Sequence, residues 1–155
     1  MVSLYEELKA LVAALNKEDV PYALCGGLAM AMHGFVRATE DIDLLIQPCD
    51  LERVLSVAAQ LGYKLRSQAM VLESGSVEIH RVVKMLGEDE DPLPLDLLLV
   101  TPALQEVWQA REWKQWLEGS FCVVSREGLI QLKSGRGCAV DLEDMRSLRQ
   151  DDEGS

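Results

Sequence analysis

The sequence has no Cys-x-x-Cys pair, and its two histidines, His33 and His80, stand at no zinc-site spacing from Cys25, Cys49, Cys122 or Cys138. That argues against a zinc-nucleated fold. The scattered cysteines read as reduced thiols in a cytoplasmic protein, several of them buried. No apolar run reaches the roughly 20 residues that a membrane span needs. The N-terminal stretch carries acids and lacks the basic-then-apolar order of a secretory signal. Positive charge is also scarce: 15 Lys and Arg stand against 26 Asp and Glu, a net charge of −11. The field of the whole chain therefore does not attract nucleic acid, although local basic groups could still serve a site.

What is present is enough apolar material for a real core: 155 residues, 48% hydrophobic. We read residues 1–150 as one domain and 151–155 as a frayed acidic tail. The chain is organised around the stretch from Cys25 to Ile46. A buried strand at 20–25 leads into Gly26-Gly27, which opens an apolar helix at 28–33 that Gly34 stops. Strand, glycine pair and helix in succession let backbone N–H groups approach a phosphate, or form no more than a tight turn. Asp41 and Asp43 then bracket Ile42 ahead of Leu44-Leu45-Ile46. On a strand the two acids share one face while Ile42 and Leu44 take the core face. At about 4 Å and an effective dielectric near 20, two carboxylates repel by roughly 4 kcal/mol. A hard, oxygen-seeking ion such as Mg²⁺ removes that conflict.

Around this stretch the elements follow from spacing. Leu4, Leu8, Leu11, Val12 and Leu15 recur at helical intervals behind Ser3, a cap residue, and predict an amphipathic helix over 3–17 that packs on a sheet. His33 reads as a helix-end residue, and Arg37 meets either a phosphate or the neighbouring Glu40. Pro48 ends a strand at 41–47. Asp50 caps a helix carrying Leu51, Val54, Leu55, Ala58 and Leu61, closed by Gly62. Strands are expected at 63–66, 70–73 and 77–83, with a hairpin connection at 73–76 and His80 facing solvent or a cleft rim. Residues 87–92 form an acidic, solvated loop. Asp96 is a lone acid in the apolar run 95–100. An unpaired buried carboxylate is costly, so Asp96 either faces water at a sheet edge or is held for a purpose.

Thr101-Pro102 starts a helix reaching about 111. Residues 112–117 fit either its continuation or a hairpin with 121–124. Trp108, Trp113 and Trp116 read as packing residues rather than a base-stacking platform. Ser125 caps a short helix at 127–133 ended by Gly135. Asp141 caps a last helix carrying Leu142, Met145 and Leu148.

Gly26-Gly27 followed by Arg37-x-Thr39-x-Asp41-Ile42-Asp43-Leu44 resembles the signature of the polymerase-β-type nucleotidyltransferases, and within them the small bacterial members related to AbiEii-type abortive-infection toxins. Asp96 resembles that family's third carboxylate. Leu129-Ile130-x-Leu132-Lys133 with Asp141-x-x-Asp144 resembles its C-terminal motif. The resemblance covers most of the chain. It implies an α/β (α+β) nucleotidyltransferase fold: a small mixed twisted sheet flanked by helices, a cleft at one sheet edge, the hairpin at 113–124, and a short C-terminal helical extension.

The activity implied is transfer of a nucleoside monophosphate from a nucleoside triphosphate to an acceptor hydroxyl, dependent on Mg²⁺ or Mn²⁺. Asp41, Asp43 and Asp96 would be the catalytic residues and metal ligands. One ion would sit on Asp41 and Asp43 and a second would be shared with Asp96, which would also serve as general base. Gly26, Gly27, Arg37, Thr39 and Lys133 would contact the nucleotide. Acceptors of similar enzymes are tRNA ends, proteins or small hydroxylated molecules such as aminoglycosides. A toxin–antitoxin role is implied too, and a partner chain could complete the site. The sequence departs from the family pattern in three places. Gly-Gly replaces the commoner Gly-Ser, Arg136 comes early after Lys133, and Val140 rather than a basic residue precedes Asp141. These departures leave open a catalytically silent nucleotide- or partner-binding module of the same fold.

Overall fold

The computed structural model describes residues 4–34, 41–72, 77–116 and 119–136. Arg37, Thr39 and Glu40, the connection at 73–76, Cys138, and Asp141, Asp144 and the acidic tail lie outside them. In chain order the elements are α1 (Leu4–Lys17), β1 (Ala23–Cys25), α2 (Gly26–Met32), β2 (Ile42–Ile46), α3 (Leu51–Gln60), β3 (Tyr63–Arg66), β4 (Met70–Leu72), β5 (Val77–Lys84), β6 (Leu93–Leu99), α4 (Gln105–Gln109), β7 (Glu112–Trp116), β8 (Gly119–Val123) and α5 (Arg126–Arg136). The strands form one mixed sheet in the order β3-β5-β6-β2-β1-β8-β7, with β4 also paired to β5. Pairs β2/β6 and β1/β8 are parallel and the others antiparallel.

All five residues of β2 are buried, as the central strand of a sheet covered on both faces requires. Side-chain alternation divides the sheet in two. One face carries Ile42, Leu44 and Ile46 of β2 beside Leu95, Leu97 and Leu99 of β6, and Val82 and Lys84 of β5. Helix α1 lies on this side: its Leu8, Leu11 and Leu15 are fully buried, and Glu7 reaches both Lys84 and Tyr63. The other face carries Asp43 and Leu45, Asp96 and Leu98, and Val77, Ile79 and Arg81. Leu129 and Leu132 of α5 cover part of it.

The hairpin alternative at 112–124 is the one realised, as β7 paired with β8. The helix expected after Thr101-Pro102 is present, beginning as a 3₁₀ turn, Pro102–Leu104, and continuing as α4 to Gln109. Arg111 then turns back to cap the chain end of α4, its guanidinium lying over the Trp108 ring at 3.9 Å and donating to the Trp108 carbonyl at 2.9 Å. Two local expectations are corrected. Helix α5 runs past Gly135 to Arg136. Its Ser125 cap is as expected, with Oγ accepting from Gly128 N–H at 3.1 Å. Asp50 precedes α3 but makes no side-chain cap there. It pairs instead with Arg53 at 3.3 Å, and Arg53 donates to the Glu18 carbonyl at 2.7 Å, tying α3 to the turn after α1.

Candidate active site

The glycine turn, the Asp-x-Asp strand and the lone acid of β6 converge on the second face. In the parallel β2/β6 ladder Asp43 is the register partner of Asp96, so two carboxylates from distant parts of the chain stand side by side. Asp41 precedes β2 by one residue and shares the parity of Asp43. Asp43 and Asp96 are 9% and 3% exposed, while the Asp41 side chain is 40% exposed, so the row runs from the sheet interior to its surface. Because β2 is the central strand, this row lies over the middle of the sheet and not at an edge. The β2/β6 crossover explains why: a parallel pair keeps both strands inside the sheet, where their apolar alternate residues are needed on the other face.

Gly26 has φ +70, a backbone state that favours glycine. It also sits against Asp43: a Cβ there would lie 2.8 Å from Asp43 Cγ and closer still to Oδ2. The strand-to-helix turn thus needs glycine both for its conformation and to leave room for the carboxylate. Cys25 is the register partner of Asp43 in β1/β2, which fixes the turn beside the acid. A cleft opens here, lined by Cys25, Gly26, Asp43, Val77, Leu98, Leu129 and Leu132. Its lining is mostly apolar, with Asp43 the one acid among those residues.

Sequence reasoning missed Arg81. In the β5/β6 ladder it is the register partner of Asp96. Its Nε donates to Asp96 Oδ1 at 2.7 Å and its Nη2 to Oδ2 at 2.9 Å, a two-pronged fit to one carboxylate. Nη2 also lies 4.0 Å from Asp41 Oδ2. The hydrogen bonds to Asp96, and the charges of Asp96, Asp41 and Asp43, push the guanidinium pKa well up, against the opposing effect of burial. Arg81 therefore stays charged at any working pH. The signal available in the sequence was an arginine sharing the alternation of apolar Val77 and Ile79 on the strand that comes before the lone Asp96 in the chain.

Hard oxygen donors on one face fit a divalent ion in kind, and Asp41 and Asp43 are the pair that would hold it. The complete three-acid centre is not assembled. Among the described residues no group of three or more His, Cys, Asp or Glu side chains is disposed to hold one ion, and Asp96 is turned to Arg81. Lys133 lies within α5, the helix whose Leu129 and Leu132 line the cleft, but its side chain is outside the described residues, as are Arg37 and Thr39 entirely.

Neither histidine belongs to the row of acids. His33 ends α2 and its Nε2–H donates to the Val124 carbonyl at 2.9 Å. Burial lowers its pKa, opposed by that hydrogen bond. His80 has the opposite parity to Arg81 and faces away from the cleft, 3.1 Å from Glu78, which removes the cleft-rim alternative. Trp108 is buried, and Trp113, though 63% exposed, packs edge-on to Tyr22 at 6.3 Å; both are packing residues.

No protein-family model matches the sequence, nor does any curated protein sequence. Solved structures do. The lincosamide antibiotic adenylyltransferase LnuA, solved with lincomycin bound, superposes with a TM-score of 0.62 at 18% identity, over 96% of this chain and 97% of its own. ANT(2″)-Ia, solved with adenylyl-2″-tobramycin, gives 0.61 at 15% identity over 93% and 86% of the two chains. A Thermotoga maritima protein regarded as a nucleotidyltransferase gives 0.59 at 16% over 97% and 93%. The chain therefore has the nucleotidyltransferase fold, a twisted mixed sheet flanked by helices, as its sequence motifs implied. Among the described residues no helix is long and apolar enough to cross a membrane.

Proposed function

We propose that this protein is a nucleotidyltransferase that moves a nucleoside monophosphate from a nucleoside triphosphate to a hydroxyl of a small organic acceptor. The observation that carries the reading is the register pairing of Asp43 with Asp96, with Asp41 on the same face and Asp43 lining a cleft beside the Gly26 turn. The fold it shares with two antibiotic adenylyltransferases supports it. The acceptor oxygen attacks the α-phosphorus, the bond from that phosphorus to the bridging oxygen breaks, and pyrophosphate leaves.

Most of what such a site contributes is positioning and charge. Asp41 and Asp43 would hold a divalent ion, Mg²⁺ or Mn²⁺, which supplies neutralising charge to the triphosphate when bound. Asp96 is held in a fixed orientation by Arg81 and keeps acceptor capacity beyond the two bonds it receives, so it can take the hydroxyl proton. Gly26 brings bare backbone against Asp43, and Gly26 and Gly27 would offer N–H groups to a phosphate there. Lys133, on the helix that roofs the cleft, would reach phosphate oxygens, and Arg37 and Thr39 would join from the segment before Asp41. The Val77, Leu98, Leu129 and Leu132 lining suits the apolar part of a substrate. A small acceptor is favoured over a tRNA end or a partner protein because the cleft is small and apolar and the chain is acidic.

The test is pyrophosphate release from each of the four triphosphates with Mg²⁺, against a panel of hydroxylated small molecules and against tRNA. Release that requires a small acceptor supports the reading, and release with tRNA alone would move the acceptor class. One observation favours a second reading: the Arg81 clamp on Asp96 also fits a module that binds nucleotide without chemistry. That module would show thermal stabilisation by triphosphate without metal, and no pyrophosphate with any acceptor.

A further inference from the structure

We propose that Arg81 stands in the place of a second cation, so that this chain takes a single divalent ion, on Asp41 and Asp43, and Asp96 acts without ligating metal. The inference rests on the transfer reading above and deepens it. Both oxygens of Asp96 receive a guanidinium N–H, at 2.7 and 2.9 Å, in the planar fork that matches a carboxylate. Asp96 is 3% exposed, so water gives little help in exchanging that partner for an ion. The same guanidinium lies 4.0 Å from Asp41, between the third acid and the outermost one.

The pairing is built into the sheet. Arg81 and Asp96 are register partners in a β5/β6 ladder that runs continuously from Glu78 opposite Leu99 to Lys84 opposite Leu93. A divalent ion on Asp96 would have to sit beside a fixed positive charge that cannot lose its proton. Arg81 is thus a positioning residue. It fixes the orientation of Asp96 beside Asp43 and supplies, as a permanent part of the chain, positive charge that an exchangeable ion would otherwise bring.

The experiment is a Mn²⁺ titration of the intact chain followed by electron paramagnetic resonance, which counts bound ions without requiring turnover. The wild type is expected to saturate at one Mn²⁺ per chain. Asp96→Asn should also bind one, with affinity within about threefold, while Asp43→Asn binds none. Arg81→Met frees the Asp96 carboxylate and should admit a second ion. Two ions in the wild type, loss of the ion in Asp96→Asn, or a folded Arg81→Met that still takes one would each overturn the inference while leaving the transfer reading intact. A wild type that takes no ion, or an Asp43→Asn that keeps it, would instead remove the Asp41/Asp43 assignment on which both stand. Should Arg81→Met fail to fold, the Asp96→Asn count still decides.

Discussion

Strand β5 carries a half-buried cation on each face, and the two are used differently. Lys84, on the face under α1, donates to both oxygens of Glu7 at 2.7 and 2.9 Å, and Tyr63 O–H donates to the same carboxylate at 3.0 Å. Burial first, and then the Glu7 charge, push the Tyr63 pKa well up, so the phenol remains a donor. One acid meets one cation and one neutral donor, and the cluster is closed. Arg81, on the other face, is set against Asp96, Asp41 and Asp43 together. A cluster that only fastens a helix to a sheet balances its charge within itself. The Arg81 cluster instead gathers three acids about one described cation, an imbalance of the kind that marks a functional site.

The contrast is sharpest at Asp43. Asp43→Asn is expected to cut pyrophosphate release by about 10²–10³-fold or more, with the melting temperature nearly unchanged, because the amide keeps the shape and loses the charge. Full activity in that variant would remove the acid row from the chemistry. Gly26→Ala comes next. A methyl group there meets the Asp43 carboxylate and the φ of +70 is strained for alanine, so we expect a loss of stability of about 1–3 kcal/mol together with weakened metal binding. Chemical denaturation and Mn²⁺ titration would read the two effects separately.

The other face should behave in the opposite way. Lys84→Met leaves Glu7 buried without its cation and is expected to cost about 1–3 kcal/mol in urea unfolding, while transfer measured well below the melting point is unchanged. Tyr63→Phe should cost about 1 kcal/mol and likewise spare activity. A large activity loss in either variant would break the division of labour between the faces.

The smallest effect belongs to His33. Its folded pKa lies below 6.5, so the unfolded chain takes up the proton more readily. The stability it contributes is complete above about 6.5 and is lost as pH falls through the lowered folded value. His33→Gln keeps a donor for the Val124 carbonyl and should show a shallower fall in stability between pH 7.5 and 5 than the wild type. Parallel curves for the two would show that burial of His33 has no weight in acid sensitivity.

Much of this was legible from spacing. The period of Leu8, Leu11 and Leu15 gave α1, and the alternation in Ile42-Asp43-Leu44 put an acid on the face opposite the core side chains. The lone Asp96 announced itself because an apolar strand does not carry a buried carboxylate without a partner. What spacing could not give was the identity of that partner. Arg81 is 15 residues away on another strand, and only the antiparallel β5/β6 register brings it opposite Asp96. The purpose of Gly26 was half visible: a glycine turn before a helix reads as room for a phosphate, but the atom it makes room for in the fold is the Asp43 carboxylate. The position of the cleft was misjudged for the same reason, since strand order is a property of pairing and not of any one segment.

The sequence by itself determined the elements, the fold they build, and which side chains could carry charge on one face of a strand. Those depend on periodicity and local chemistry, which are written residue by residue. Only the tertiary structure decided that β2 is central, that Asp43 is the residue in register with Asp96 on the strand beside it, and that Arg81 already occupies Asp96. Each of these is fixed by strand register between distant segments, where a shift of one residue would send every one of these groups to the opposite face.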